Sequence, residues 1–418
     1  MKLFKSSLLA LALASASNVN AESIAITNAT VHTVTEQGVL SGATVVINDG
    51  KIAAINPENV DADVIVDAKG KILTPGLIGS INQLGLVEVS AVSRSRDAGD
   101  KKADITFDPS VAYNPRSSAI AYTRKGGITT NVVVPRGGDS IFKGQGFVAD
   151  LSGEFDSIAS TGNAVIVDLG AKSKGSRAMP LQKLYRKLED AQKALEKAEK
   201  AKDKKSDDKK AEDKEPKRDE AIVNALLAGE KTLVAYADRA TDLLALIDMK
   251  SKFNLDLVVA GAGDAVLVAD KLANAQVPVV MSAMSNLPTS FDTLHQSLNN
   301  AAVLTNAGVK VLLTVSGDTH NLYQLIFDAG NAVANGMSKA QALASVTANV
   351  ADTFDVNAGR IAVGKRADLV LWSDDPFELS TKVEKMWING KAYSTESRHD
   401  ALRDRYTTKS DMPRAYTK

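Results

Sequence analysis

Short apolar runs give way to helical periodicities along most of this chain. Residues 24–33, 43–47, 51–55 and 64–66 are β-type runs, and Asn48-Asp49-Gly50 marks a hairpin because Asp-Gly tolerates the positive φ of a tight turn. That is too little chain to bury a core alone, so these strands need a partner. The C-terminus supplies one, with residues 385–388 and 391–393 reading as strands around Asn389-Gly390.

Between the two ends, strand and helix patterns alternate as they do in parallel α/β folds. The strands expected are 77–81, 129–134, 164–169, 232–237, 255–260, 277–282 and 309–315, and the helices are 241–253, 264–275, 290–306, 321–335 and 338–354. Ser338 and Gln341 form a capping box at the head of the last helix. Seven clear strands in an eight-stranded plan leave one hidden, distorted or lost.

Two insertions interrupt the alternation. Residues 137–153 read as a β-hairpin, and Gly144-Gln145-Gly146 within it lacks the strand, turn and helix context of a phosphate loop. Leu181, Leu184, Leu188, Ala191, Leu195 and Ala198 form an a/d stripe, followed at 200–220 by 17 charged residues in 21. This charged helical insertion, 181–220, reads as a solvated helix or a tether, with a docking arm for another chain as the alternative.

Charge and cysteine content narrow the class. The chain has 418 residues, 50 basic against 50 acidic and no cysteine, which excludes disulfides and thiolate metal sites and gives no basic excess for nucleic acid. Residues 1–21 carry Lys2 and Lys5, an apolar run from 8 to 16 and Val19-Asn20-Ala21, so a signal peptide and a periplasmic protein without a lipid anchor are expected. No later run is long and apolar enough to span a membrane.

Two motifs carry a family resemblance. Pro75-Gly76-Leu77-Ile78 resembles the opening of the barrel in the amidohydrolase superfamily, in particular its imidazolonepropionase-like, metal-dependent hydrolase members. The segment Gly359-x-Ile361-x-x-Gly364-Lys365-x-Ala367-Asp368-Leu369-Val370 is similar to that family's closing stretch. The resemblance implies a (β/α)8 TIM-like barrel, regular or distorted, plus a small β-sandwich built from the N- and C-terminal segments. The domain limits expected are 22–72 and 358–394 for the sandwich, 73–357 for the barrel, and 395–418 for a tail.

The resemblance also implies a metal site, and here the sequence departs from it. Pro-Gly-Leu-Ile is followed in the family by Asp-x-His-x-His, whereas this chain has Gly79, Ser80, Ile81, Asn82 and Gln83. The family's later histidine positions fall near Tyr236 and Gly261, and its invariant Asp matches Asp318 in a run that includes Ser316 and His320. Only four histidines exist, and His32, His295 and His399 fall outside the expected barrel mouth. The candidates are therefore Asp318 as catalytic residue or helix cap, and Gln83, Tyr236, Asp238, Ser316 and His320 as pocket residues. No cofactor is expected, the alternative being one weakly bound zinc near Asp318 and His320.

Two functions lead, with an envelope scaffold that uses only the charged arm as a third. One is a non-catalytic binding or partner subunit, associating with an intact amidohydrolase homologue or with itself. The other is an active hydrolase of carbon-nitrogen bonds with a reduced or rebuilt site. Charged residues of the first βα loop, Glu88, Arg94, Arg96, Asp97, Asp100, Lys101, Lys102 and Asp104, lie where such a barrel builds its site.

Overall fold

Two eight-stranded sheets hold the strands of this computed structural model, which describes residues 22–170, 175–203 and 216–408. The expected signal peptide lies outside the described residues, as does 204–215 of the charged run. The first sheet joins β1 (Ile24–His32), β2 (Val39–Asn48), β3 (Lys51–Ile55), β4 (Val64–Asp67) and β5 (Ile72–Pro75) to β14 (Leu369–Trp372), β15 (Val383–Ile388) and β16 (Lys391–Tyr393). Antiparallel β5 and β14 make the junction, so the two chain ends share one sheet. It curls on itself: Ile52 N donates to Lys365 O at 2.9 Å and Ala367 N to Gly50 O at 2.8 Å. Ile26, Val45, Ile47, Leu73, Leu369 and Trp387 fill its interior.

The closing motif has a mechanical reason here. Asp368 is buried, accepts Asn389 N at 2.8 Å and Thr130 Oγ1 at 3.0 Å, and pairs with Arg366 at 2.5 Å. One carboxylate thus holds the Asn389-Gly390 hairpin and fastens the small sheet to the barrel.

The barrel sheet runs β6 (Leu77–Asn82), β7 (Ile128–Val133), β8 (Phe142–Asp150), β9 (Ile158–Asp168), β10 (Thr232–Ala237), β11 (Asp256–Gly261), β12 (Val279–Met281) and β13 (Val311–Leu313) in spatial order. Every neighbouring pair is parallel except those of β8, which is antiparallel to both β7 and β9. The missing strand is therefore the segment expected as a hairpin insertion. It does not close a hairpin within 137–153, because its partners on either side are wall strands. Where β6 meets β13, hydroxyls replace a backbone ladder: Ser80 Oγ donates to Leu313 O at 3.1 Å and Thr314 Oγ1 to Ser80 O at 2.6 Å. The crossover between the sheets falls at Gly76, after β5, so Ile72–Pro75 belongs to the small sheet.

The helices are α1 (Ser118–Thr123), α2 (Ala178–Asp203), α3 (Arg218–Leu227), α4 (Ala240–Phe253), α5 (Ala269–Asn274), α6 (Asn300–Asn306), α7 (Leu325–Ala334), α8 (Lys339–Ser345), α9 (Ala348–Thr353) and α10 (Arg398–Thr407). The helix expected at 290–306 is helical only at its end. In the preceding loop, Thr289 N and Ser290 N donate to Thr293 Oγ1 and Asp292 N to Ser290 Oγ, local bonds that compete with helical ones. The expected helix at 338–354 keeps its Ser338–Gln341 capping box but breaks into α8 and α9. Leu184 and Leu188 of the expected arm are buried in the main core, so the first half of α2 is barrel wall. From Lys193 to Lys200 the helix is exposed.

Candidate active site

The upper barrel interior is packed with Ile78, Val132, Val134, Val234, Ala260, Val280 and Leu312. Ile81 joins this cluster at the end of β6 and is buried. Its φ is +46°, a backbone region that a β-branched residue enters only under strain, and the β6–β7 register shifts between Gly79 and Asn82. Beside it, Asn82 and Asn131 bond reciprocally, Nδ2 to Oδ1, at 2.6 and 2.9 Å. A Cβ at Gly79 would lie 2.4 Å from Asn131 Oδ1, so no carboxylate fits there without moving that pair.

Cavities open above this plug, at the C-terminal ends of the strands where a parallel barrel builds its sites; besides one of about 620 Å³ lined by Arg136, Lys143, Asp168 and Lys183 among others, two hold sequence candidates. One, about 470 Å³, is lined by Gln83, Arg96, Arg136, Asp318 and Thr319 among others. The second, about 440 Å³, is lined by Arg136, Lys143, Asp168, Tyr236, Asp238 and Asp292 among others. Arg136 is common to both. Its backbone is fixed, since Arg136 N donates to Ala98 O at 2.8 Å, while among the described residues nothing bonds its guanidinium.

Charge balance differs around the second cavity. Burial pushes the Asp238 carboxyl up, a bond from Gly263 N opposes this, and the neighbouring Asp292, Asp264 and Asp168 push it further up. Burial pushes the Tyr236 phenol up to about 12, so it stays a neutral donor. Burial opposes ionisation of Asp292 as well, yet Arg177 at 2.5 Å and Arg239 at 2.7 Å hold its carboxyl below the ordinary value. Lys143 Nζ turns to the carbonyls of Gly138 and Ser140, at 3.1 and 2.7 Å.

The sequence candidates separate into three groups. Gln83 and Asp318 share the first cavity, and Tyr236 and Asp238 share the second. Ser316 and His320 are exposed, line neither cavity, and make no hydrogen bond to Asp318. Asp318 stands at the cap position of the 3-10 turn Thr319–Gln324, but its side chain makes no capping bond. His295, expected on a helix, sits in the loop with Nδ1 2.8 Å from Asp264 Oδ1, and His399 packs edge-on against Tyr122. Among the described residues no three His, Asp or Glu side chains gather as a metal site. The described residues therefore do not fit the metal that the resemblance implies.

Arg136 and Asp168 escaped the sequence reading because neither belongs to a motif. A positional signal exists for both. Each is the first charged residue past an apolar strand run, Val132-Val133-Val134-Pro135-Arg136 and Val165-Ile166-Val167-Asp168, which is where a barrel strand delivers a side chain to its mouth.

Comparison with known proteins fits this geometry. The model of the amidohydrolase family matches residues 219–393. The curated amidohydrolase tasK of Hapsidospora irregularis is 22% identical over 367 residues, 79% of this chain, and this chain spans only 37% of that protein's length. Among solved structures, an amidohydrolase from Thermotoga maritima MSB8 superposes with a TM-score of 0.78 at 24% identity, covering 89% of this chain and 99% of that one. Enamidase, described as a member of the amidohydrolase superfamily, superposes with a TM-score of 0.51 at 16% identity, covering 90% and 97%. At these identities the structural likeness speaks for a TIM-barrel-like fold alone. The chain is thus similar to amidohydrolases, through the family match over residues 219–393 and a TIM-barrel-like fold.

Proposed function

We propose that this chain is a periplasmic, amidohydrolase-like binding or partner subunit whose barrel mouth receives a ligand without metal-activated hydrolysis. Ile81 carries the reading. It fills with apolar packing a position at which the resemblance implies a histidine, and a carboxylate at Gly79 would have to displace the Asn131 side chain. A metal makes water nucleophilic near neutral pH by lowering its pKa to about 7, and an isoleucine offers that ion no donor atom. Export rests on the pattern of residues 1–21, and the partner expected is an intact amidohydrolase homologue or a second copy.

One observation favours a second reading, a hydrolase of carbon-nitrogen bonds with a rebuilt site. Burial and neighbouring acids raise the Asp238 carboxyl, the direction a general acid requires.

Elemental analysis of protein purified without chelator or affinity-tag metal separates the two metal states, with Asp318→Ala as control. The expected result is no stoichiometric metal in either. Near-stoichiometric zinc that disappears in the variant would overturn the proposal and justify a screen of amide substrates.

A further inference from the structure

We propose that the cavity shared by Arg136, Tyr236, Asp168 and Asp238 binds a small zwitterion carrying one carboxylate and one ammonium group, the class of free amino acids. The proposal deepens the binding reading above and rests on it. It begins from polar groups left without partners in a space of about 440 Å³. Among the described residues, the Arg136 guanidinium and the Tyr236 hydroxyl have no hydrogen-bond partner. Both are donors. A ligand carboxylate can engage Arg136 through two parallel N–H bonds and accept the phenol proton as well. Arg136 is also rigidly based, because its carbonyl lies so close to Gly99 that a Cβ there would approach it to 1.8 Å.

The acids supply the opposite end. Asp168 uses Oδ1 to accept Gly170 N at 3.1 Å, and Asp238 uses Oδ1 to accept Gly263 N at 3.3 Å. Each leaves its second oxygen free, and neither has a cationic partner among the described residues. Of the other charges that line this cavity, Asp292 is committed to Arg177 and Arg239 and Lys143 to two carbonyls, and the neighbouring Asp264 pairs with His295. A purely anionic ligand would meet Arg136 and leave two carboxylates facing its charge. A purely cationic one would satisfy the acids and leave the guanidinium unmatched. A zwitterion answers both, and the volume is in the range of small-molecule sites.

The test begins with thermal melts of the full chain in each of the twenty common amino acids at about 10 mM, since a ligand of the folded state raises the melting temperature. For the amino acid with the largest shift, calorimetric titration then compares three probes: the amino acid, its carboxamide, which keeps only the ammonium, and its N-acetyl derivative, which keeps only the carboxylate. The amino acid is expected to bind saturably, and each singly charged probe about tenfold more weakly or worse. Arg136→Gln should weaken the amino acid about tenfold and abolish its advantage over the carboxamide, and Asp238→Asn should abolish its advantage over the N-acetyl probe. Tyr236→Phe, which removes one hydroxyl from an otherwise unchanged ring, should weaken it less. All three variants are checked by circular dichroism melts.

No shift with any amino acid overturns the proposal, as does equal binding of either singly charged probe, or undiminished binding in folded Arg136→Gln and Asp238→Asn. Stoichiometric metal in the same protein would instead overturn the non-catalytic reading, and the titration would still decide the zwitterion site.

Discussion

Asp328 shows how a single side chain can tie the loop beside the second cavity to the acidity of the medium. It accepts Ser282 Oγ and Ala283 N at 2.8 Å and Met284 N at 3.2 Å, anchoring the start of the loop that carries Asp292. Burial outweighs those three bonds and raises its carboxyl from 3.8 to about 6. A raised folded-state value means that the stabilisation is full below the unfolded value, near pH 4, and is lost as pH rises through about 6. The whole effect is on the order of 3 kcal/mol, with roughly 1 kcal/mol falling between pH 5 and pH 7. Urea unfolding at those two pH values should show the wild type losing stability on going to pH 7, with Asp328→Asn losing about 1 kcal/mol less over the same interval. Equal losses would mean that the carboxyl does not titrate there. Legibility at this scale follows chemistry. Ile81 and Gln83, at positions where the resemblance implies histidines, are visible because a motif defines them, whereas Asp328 reads as an ordinary polar residue on a helix face. Only the fold reveals that its carboxylate faces three donors.

Among elements, α2 is where periodicity and burial part company. The a/d stripe runs unbroken from Leu181 to Ala198, yet Leu184 is fully buried and Leu195 is 37% exposed. Periodicity records which face of a helix is apolar and says nothing about where the neighbouring helix ends. Here α3 and α4 cover only the first half, and Lys187 pairs with Asp219 at the base at 2.7 Å. Leu184→Ala should therefore destabilise the protein by about 2–5 kcal/mol, and Leu195→Ala by no more than about 0.5 kcal/mol, both read from denaturant midpoints. Comparable losses would show that the distal half is packed. Strand β8 gives the complementary lesson. Its alternating pattern was legible, but antiparallel insertion into a parallel wall depends on the ladders of β7 and β9, which leave no local trace in the strand itself.

For the whole molecule, the two ends of the chain and the barrel between them were legible because turn chemistry and apolar alternation mark them locally. The assembly state has no such mark, and the exposed half of α2 with the charged run beyond it is the feature that bears on it. Replacing residues 193–215 by a short Gly-Ser linker removes solvated helix and charge while leaving Lys187 and Asp219, the pair at the base. Lys193 to Lys200 are exposed and contribute little burial, and the dense mixed charge of the sequence that follows favours solvation over a packed interface. The shortened protein should melt within about 2 °C of the wild type, because surface changes away from packed features shift stability by only about 0.5 kcal/mol. Sedimentation velocity should show both proteins in the same assembly state. A larger species present in the full chain and absent from the shortened one would reassign the arm to self-association. If an intact amidohydrolase homologue sediments with the full chain and not with the shortened one, the arm is the docking element and the partner-subunit reading gains its interface. With assembly unchanged, ligand recognition at the barrel mouth becomes the function to pursue, and Arg136 the residue through which to pursue it.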